Sequence, residues 1–185
     1  MISIIIPTIR PQNIPALLKA IEDNTSVVHE VIWEEDVERI GAPRMVKKLT
    51  DQAQYDFVVF LGDDTIIEKD CIDNALKMAL EHDLWLVGFN DYHGQKATHW
   101  LANKKLLDHL ENREFFFTGY IHNYCDDELR VRTQKLGRYG WCENARIIHN
   151  HPAFGAVPMD DSYKVQTDTP NWNHDELLFN ERNNA

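Results

Sequence analysis

Two adjacent carboxylates, Asp63 and Asp64, follow an apolar run at the point where a buried strand should end. Residues 57–65 read FVVFLGDDT, in which five apolar residues precede Gly62 and the aspartate pair. A β-branched and aromatic run bounded by a turn signal predicts a central parallel strand. Ligands of open α/β sheets bind beyond the carboxyl ends of such strands. The pair is therefore either a site for a hard cation or capping chemistry at the start of a helix.

Two later segments carry further groups that could do chemistry. Asp126 and Asp127 precede ELRVRTQKLG, where an aspartate is either a general base or the N-cap of a helix, whose start favours negative charge. His149 and His151 flank Asn150 after the strand-like run ARIIH. Because alternate residues of a strand point the same way, one or both histidines can face a metal ion. The alternative for each histidine is a structural or exposed side chain.

Composition restricts the class of protein. The 185 residues are 43% hydrophobic and 26% charged, as expected for one soluble globular domain. No segment approaches the roughly 18 uninterrupted apolar residues of a membrane span, and the start MISIIIPTIR lacks the features of a signal peptide. We therefore expect a cytoplasmic protein without a membrane span.

Charge and cysteine content exclude further classes. The formal net charge of −11, without a run of lysines and arginines, argues against a nucleic-acid partner. Cys71, Cys125 and Cys142 are odd in number and lack CxxC spacing, so we expect reduced thiols and neither a disulfide framework nor a zinc ribbon.

Four apolar segments alternate with three helical patterns in the first half of the chain. Strands are predicted at residues 2–6, 27–33, 57–61 and 84–89, the first of them ended by Pro7. The helices are predicted from apolar residues at helical spacing, the first of them capped by Asn13: Ile14, Leu17, Leu18 and Ile21; Met45, Val46 and Leu49; Ile72, Ala75, Leu76, Ala79 and Leu80. The order β-α-β-α-β-α-β predicts a mostly parallel, Rossmann-like sheet with helices on both faces.

The second half is less regular. Residues 90–119 are predicted to be mainly loop with a short helix around Leu106 and Leu107, followed by a helix over 126–137 and a last strand over 145–149. The acidic tail beyond Pro158 has a small apolar cluster, which we expect to pack on the domain: Trp172, Leu177, Leu178 and Phe179.

Three sequence motifs occur in an order that is typical of a known enzyme family. ISIIIPT, then FLGDDT, then TGYIHNYCDDELRVRTQKLG followed by ARIIHNHP together resemble the inverting, family 2 type of nucleotide-sugar glycosyltransferase with the GT-A fold. The resemblance spans residues 2–151. It implies a GT-A domain over 1–155, with 156–185 as a C-terminal extension packed on the same domain.

The resemblance implies a role for each polar motif. The family's DXD motif, which holds Mn²⁺ or Mg²⁺ on the donor diphosphate, falls on Gly62, Asp63 and Asp64, so glycine replaces the first aspartate. Asp64 takes the metal-binding place, with His149 and His151 as further candidate ligands. Asp126 takes the place of the catalytic base, and Asp127 is the alternative.

The family's donor site maps onto other strand ends. The implied contacts with the nucleotide sugar come from Pro7, Thr8, Arg10, Glu34, Glu35, Arg44, Asp63 and Gly119. Gly119 would let the acceptor approach the backbone, and Trp100 is either a sugar-stacking side chain or a core residue. A UDP-sugar is favoured over a GDP-sugar as donor, and the acceptor carries a hydroxyl.

The resulting function is metal-dependent transfer of a sugar from a nucleotide-diphosphate donor to a hydroxyl, with inversion. A nucleotidyltransferase is one alternative, although the glycine-rich basic loop that it would carry after the first strand is missing from PTIRPQN. The missing first aspartate of the DXD motif suggests a second alternative, a non-catalytic module that binds nucleotide sugars.

Overall fold

A computed structural model describes residues 1–161, 163–164 and 168–183. In this part of the chain seven strands form one sheet, in the order β2-β1-β3-β6-β5-β7-β4. The strands are β1 Ile2–Thr8, β2 His29–Glu35, β3 Phe57–Phe60, β4 Thr65–Ile67, β5 Leu86–Asn90, β6 Trp100–Asn103 and β7 Tyr139–His149. Only β6 and β4 run against the others, so the predicted mostly parallel α/β sheet is confirmed.

Helices cover both faces of the sheet. They are α1 Ile14–Asn24, α2 Ala42–Gln52, α3 Cys71–Glu81, α4 Cys125–Lys135 and α5 Thr169–Asn183, with 3₁₀ turns at Pro11–Asn13, Lys104–His109, Glu111–Arg113 and Pro152–Phe154. One core lies between the sheet and α1 and α3. A second core lies on the opposite face, under α2 and α4. This three-layer arrangement leaves the carboxyl ends of the parallel strands free to form a site.

The helical periodicity in the sequence identified most of the buried helix faces. Ile14, Leu17 and Ile21 of α1 are buried, as are Met45, Val46 and Leu49 of α2. Leu80 is an exception, because it is 63% exposed on the outer side of α3. Among the described residues no helix is long and apolar enough to cross a membrane.

Pro7 does not end the first strand, contrary to the prediction. Pro7 and Thr8 continue β1 in register with Glu34 and Glu35 of β2. On the other side, pairing of β1 with β3 stops at Ile5. Because the backbone of Pro7 faces the side where β3 has ended, its missing N–H costs no hydrogen bond.

The region predicted as loop contains an additional strand. β6 inserts between β3 and β5 and runs antiparallel to both. Its first residue, Trp100, is fully buried against Phe60, Phe115 and Phe116, so this tryptophan is a core residue and does not face a sugar. The insertion also brings His99 to the edge of the sheet where β3 ends.

Candidate active site

Asp64 lies directly beyond β3 with its carboxylate 8% exposed. Its Oδ2 atom accepts a hydrogen bond from the Tyr163 hydroxyl at 3.1 Å and one from Arg10 Nη2 at 3.3 Å. Its Oδ1 atom faces His149 Nε2 at 3.6 Å. Burial opposes ionisation, yet the hydrogen bond with His149 and the charges of His149 and Arg10 hold the pKa of Asp64 well below its usual range. Asp64 is therefore an ionised carboxylate whose Oδ1 atom is directed toward the histidines.

His149, the last residue of β7, lies between two carboxylates. Its Nε2 atom is near Asp64, and its Nδ1 atom is 3.7 Å from Oδ2 of Asp91, which is itself 5% exposed. Burial lowers the pKa of His149, but Asp64 and Asp91 together raise it to about 9. The space between these carboxylates thus favours a positive charge, and a metal ion bound there would displace the proton of His149.

His99 completes a cluster that can hold a metal ion. Ligand atoms of Asp64, His99 and His149 lie within 4.8 Å of one another. Three ligand atoms that are each about 2.1 Å from one ion lie at most about 3.6 Å from one another when they are evenly spread around it, so the three side chains would move about 1 Å closer together on binding an ion. Burial and the neighbouring His149 lower the pKa of His99 to about 3, which keeps this ring in the neutral form that binds metals.

Gly62 provides room for this cluster. A Cβ atom at residue 62 would lie 2.9 Å from Asp64 Oδ1 and 3.0 Å from His99 Nε2. Any side chain at this position would therefore enter the space between the two ligand atoms. The absent Cβ, the ionised carboxylate and the neutral imidazole together fit a divalent cation, which would be held by Asp64, His99 and His149.

Asp63, the other carboxylate of the pair, organises the loop after β1. Its Oδ2 atom accepts hydrogen bonds from the Thr8 hydroxyl at 2.6 Å, Ile9 N at 2.9 Å and Arg10 N at 3.0 Å. Its Oδ1 atom accepts from Arg10 Nε at 2.9 Å. These hydrogen bonds hold Thr8 and Arg10 beside Asp64. Asp63 would therefore affect donor binding indirectly, by positioning this loop.

The guanidinium of Arg10 lies at the centre of the site. It is stacked on the Tyr163 ring at 4.2 Å and paired with Asp63 and Asp64. Its buried Nη1 atom has no hydrogen-bond partner within the described residues. An unpaired buried donor beside a candidate cation site is well suited to an anionic group.

Asp126 and Asp127 lie in the first turn of α4 but differ in their surroundings. Asp127 is paired with Arg130, three residues later, at 3.0 Å. Burial and the charge of Asp127 raise the pKa of Asp126. A hydrogen bond with the Thr98 side chain lowers this pKa and offsets part of the increase. Thr98 precedes His99, so Asp126 and the metal cluster border the same short segment. A carboxylate with a raised pKa is the better general base of the two.

His151 lies beside the cluster without belonging to it. Its ring is 5.4 Å from that of His149 and 4.8 Å from that of Tyr163. Its Nδ1 atom accepts a hydrogen bond from Ala153 N at 3.1 Å. In the described part of the chain, the candidate metal cluster holds Asp64, His99 and His149, and a metal-binding role for His151 stays a prediction.

The acidic residues at the end of β2 differ from one another in their contacts. Glu34 is paired with Lys48 of α2, and Glu35 is exposed. Asp36, which follows them, is 6% exposed and accepts hydrogen bonds from Ile40 N and Gly41 N, both at 2.8 Å. Asp36 therefore shapes the turn before α2, and contacts of Glu34 and Glu35 with a nucleotide stay predictions.

Three further residues were predicted to contact the donor or the acceptor, and each has a defined structural environment. Arg44 donates to the Ile40 carbonyl at 3.2 Å from the first turns of α2. At Gly119 a Cβ atom would lie 2.3 Å from the Phe117 ring, so packing of this ring already requires glycine. Pro7 lies at the end of β1, next to the loop that Asp63 holds.

The C-terminal helix α5 is attached through polar groups more than through its apolar side chains. Trp172 and Leu177 are 43% and 61% exposed, whereas Asp175 is fully buried. The carboxylate of Asp175 accepts hydrogen bonds from Ile121 N at 2.8 Å, His122 N at 2.8 Å and Asn123 N at 2.7 Å. Because this loop leads into α4, Asp175 positions the start of the helix that carries Asp126.

A second polar attachment lies near the end of α5. Arg182 donates to both carboxylate oxygens of Glu128 at 2.9 Å and packs over the Phe117 ring at 3.5 Å. Glu128 is 4% exposed and also accepts a hydrogen bond from Tyr120. Leu178 and Phe179 are partly buried against the core under α2 and α4. The ionic contacts of Arg182 were not part of the sequence prediction.

We expect Asp175→Asn to destabilise the protein by about 1–3 kcal/mol. The amide has one acceptor oxygen, so at least one of three backbone donors loses its partner. The free energy of unfolding in urea measures the effect. Glu176→Gln, on the exposed side of the same helix, is the matched control and should change stability by less than about 0.5 kcal/mol. Equal stabilities of the two variants would show that Asp175 does not hold the loop.

Comparison with known proteins establishes the fold. No protein-family model matches the chain, and no curated protein sequence matches it. Among solved structures, the mannosyltransferase PcManGT from Pyrobaculum calidifontis, in complex with GDP-Man and Mn²⁺, superposes with a TM-score of 0.69 at 16% identity. That match covers 88% of this chain and 59% of the other, so the chain spans less than two thirds of its length.

Two other structures agree with this result. Residues 1–349 of TarS from S. aureus match with a TM-score of 0.63 at 14% identity, over 94% of this chain and 71% of that fragment. Glucosyl-3-phosphoglycerate synthase from Mycobacterium tuberculosis, in complex with Mn²⁺, UDP and phosphoglyceric acid, matches with a TM-score of 0.62 at 16% identity, over 84% and 74%. The chain has the GT-A fold of nucleotide-sugar transferases.

Proposed function

We propose that the protein is an inverting, metal-dependent glycosyltransferase that moves a sugar from a nucleotide-diphosphate donor to an acceptor hydroxyl. The observation that carries the proposal is the cluster of Asp64, His99 and His149 beyond the central strand of a GT-A sheet. Asp126 lies near the same segment, at the start of α4. A cation site can stabilise the leaving diphosphate and a carboxylate base can activate the acceptor hydroxyl, which are the two tasks of inverting glycosyl transfer.

Asp64, His99 and His149 would hold a divalent ion, Mn²⁺ or Mg²⁺, which when bound neutralises the charge of the departing diphosphate. Arg10 lies beside them, and its free Nη1 donor is placed to bind a phosphate oxygen. Asp63 keeps this arginine in place through its contacts with the loop after β1. The chain's own residues thus bind and orient the leaving group.

Asp126 is the proposed catalytic base. It would accept the proton of the acceptor hydroxyl as the oxygen attacks the anomeric carbon from the face opposite the leaving group. Its raised pKa supports this role, whereas the ion pair with Arg130 disfavours Asp127. The loop that Asp175 holds and helix α5 border this end of α4, so we propose that the described part of the segment 156–185 lines the acceptor side.

The donor is a nucleotide sugar, and we propose a UDP-sugar ahead of a GDP-sugar. Solved structures of the same fold contain both kinds of nucleotide: GDP-Man in PcManGT and UDP in glucosyl-3-phosphoglycerate synthase. The two classes are therefore best tested side by side.

Product analysis with UDP- and GDP-sugars in the presence of Mn²⁺ tests the proposal. A glycosyltransferase releases the nucleoside diphosphate, slowly with water as acceptor and faster with the correct hydroxyl compound. A nucleotidyltransferase, given a nucleoside triphosphate and a sugar phosphate, instead releases pyrophosphate. Pyrophosphate release, or binding of a nucleotide sugar without any turnover, would overturn the proposal in favour of these alternatives.

The pH dependence of turnover should show an acid limb. Burial and the charge of Asp127 raise the pKa of Asp126, and only the ionised carboxylate can accept a proton. Turnover should therefore increase as the pH rises through a value above the 3.8 of an ordinary aspartate. Profiles of kcat/KM for the wild type and for Asp127→Asn measure this, and the variant should shift the limb to lower pH because a neighbouring negative charge is removed.

A further inference from the structure

We propose that His99 replaces the missing first carboxylate of the metal motif, and that the resulting site of two histidines and one carboxylate selects transition-metal cations over Mg²⁺. The inference rests on the proposed function and specifies the cofactor of the same site. His99 comes from the segment before β6, far in sequence from the Gly62-Asp63-Asp64 motif.

The position of the His99 imidazole supports its role as a replacement for the carboxylate that residue 62 lacks. A side chain at residue 62 would begin 3.0 Å from His99 Nε2, so this nitrogen lies where such a side chain would project. The ring is 3% exposed and stacked on Phe60 at 5.9 Å. Within the described residues the Nδ1 atom of His99 has no hydrogen-bond partner. The other ring nitrogen, Nε2, is the one that faces Gly62 and the cluster. A side chain at residue 62 and the ring of His99 would thus compete for the same space.

Asp64 contributes a single oxygen to the space beside His99. Its Oδ2 atom is occupied by Tyr163 and Arg10, and Oδ1 faces His149. Asp63 uses both of its oxygens for the loop after β1. Of the aspartate pair, then, only one oxygen is directed toward the two imidazoles.

This ligand set determines which cations bind well. Mg²⁺ is usually held by one or two carboxylates, phosphates and waters, because it is a hard ion that prefers oxygen. Imidazole suits later transition metals, and affinities rise from Mn²⁺ through Co²⁺. Asp91, 3.7 Å from His149 Nδ1, can orient the second imidazole in the way that outer carboxylates orient metal-binding histidines.

Titration of the full chain with metal alone tests the inference without turnover. We expect calorimetry to show tighter binding of CoCl₂ and MnCl₂ than of MgCl₂ by at least about tenfold, and the visible spectrum of bound Co²⁺ to report nitrogen ligands. His99→Gln should weaken Co²⁺ binding by at least about tenfold. His82→Gln, an exposed residue at the end of α3, is the matched control and should leave binding unchanged.

A double variant that exchanges the imidazole for a carboxylate tests for a change in metal preference, which a general loss of metal affinity would not produce. Gly62→Asp combined with His99→Ala restores a carboxylate and removes one of the two groups that its Cβ atom would meet, leaving only Asp64 Oδ1 to shift, so it should reverse the preference toward Mg²⁺. Equal binding of Mg²⁺ and Co²⁺ by the wild type, or unchanged Co²⁺ binding in a folded His99→Gln variant, would overturn the inference. Neither result would contradict glycosyl transfer, which is judged by release of the nucleoside diphosphate.

Discussion

Asp126→Asn is expected to reduce turnover of the donor by about 100-fold or more while leaving donor binding unchanged. The amide is nearly isosteric and remains compatible with the first turn of α4, but it cannot accept the proton of an acceptor hydroxyl. Steady-state release of the nucleoside diphosphate measures kcat, and calorimetry with the donor nucleotide measures binding. The loss should appear in kcat because the base acts only in the transition state.

The neighbouring carboxylate provides the comparison for this variant. Asp127 is about equally close to the start of α4 but is paired with Arg130, so Asp127→Asn should reduce turnover far less than Asp126→Asn. Full turnover in Asp126→Asn together with collapse in Asp127→Asn would assign the base to Asp127. Full turnover in both variants would exclude this turn of the helix as the source of the base.

Asp64→Asn is expected to weaken Mn²⁺-dependent binding of the donor nucleotide by about 100-fold. The substitution neutralises the carboxylate that faces both histidines, and even residues that only support metal ligands change metal affinity by about 10- to 100-fold. Binding of UDP and GDP with Mn²⁺, measured by calorimetry, gives the effect. Without a divalent ion, the wild type and the variant should bind these nucleotides equally weakly.

Two controls separate this loss from unfolding. Asp51→Asn removes the same charge from the exposed face of α2 and should leave nucleotide binding unchanged. Circular dichroism of Asp64→Asn should show the native helix and strand content, because Asp64 lies beyond the strand and outside both cores. Unchanged Mn²⁺-dependent binding in a folded Asp64→Asn variant would remove the metal site from this position.

The parts of the fold that the sequence predicts well depend on local periodicity. The alternation of β1, α1, β2, α2 and β3 is visible because each buried face repeats along its own segment. The strand β6 has no such signal, since it is four residues long and follows a loop with a glycine and two histidines. Its place in the sheet is determined by pairing with β3 and β5, which are distant in sequence.

The candidate site likewise contains residues that sequence motifs identify and residues that only long-range contacts bring into place. Asp64, Asp126 and His149 end or begin elements that a motif can identify, so their place on one edge of the sheet follows from the order of elements. His99 and Asp175 act through contacts between distant segments: His99 through the antiparallel insertion of β6, and Asp175 through the docking of α5. Gly62 leaves room for the His99 ring, but no local pattern in the sequence links these two positions.

The configuration of the sugar released by the wild-type protein distinguishes inverting from retaining transfer. In the measurement, ¹H NMR spectra are collected in the first minutes of Mn²⁺-dependent hydrolysis of α-linked UDP- and GDP-sugars, before the free sugar equilibrates between its anomers. Transfer by a single displacement, with Asp126 as base and water as acceptor, predicts that the β-anomer appears first. Initial release of the α-anomer, or no released sugar from any donor of either nucleotide class, would exclude inverting glycosyl transfer by this protein.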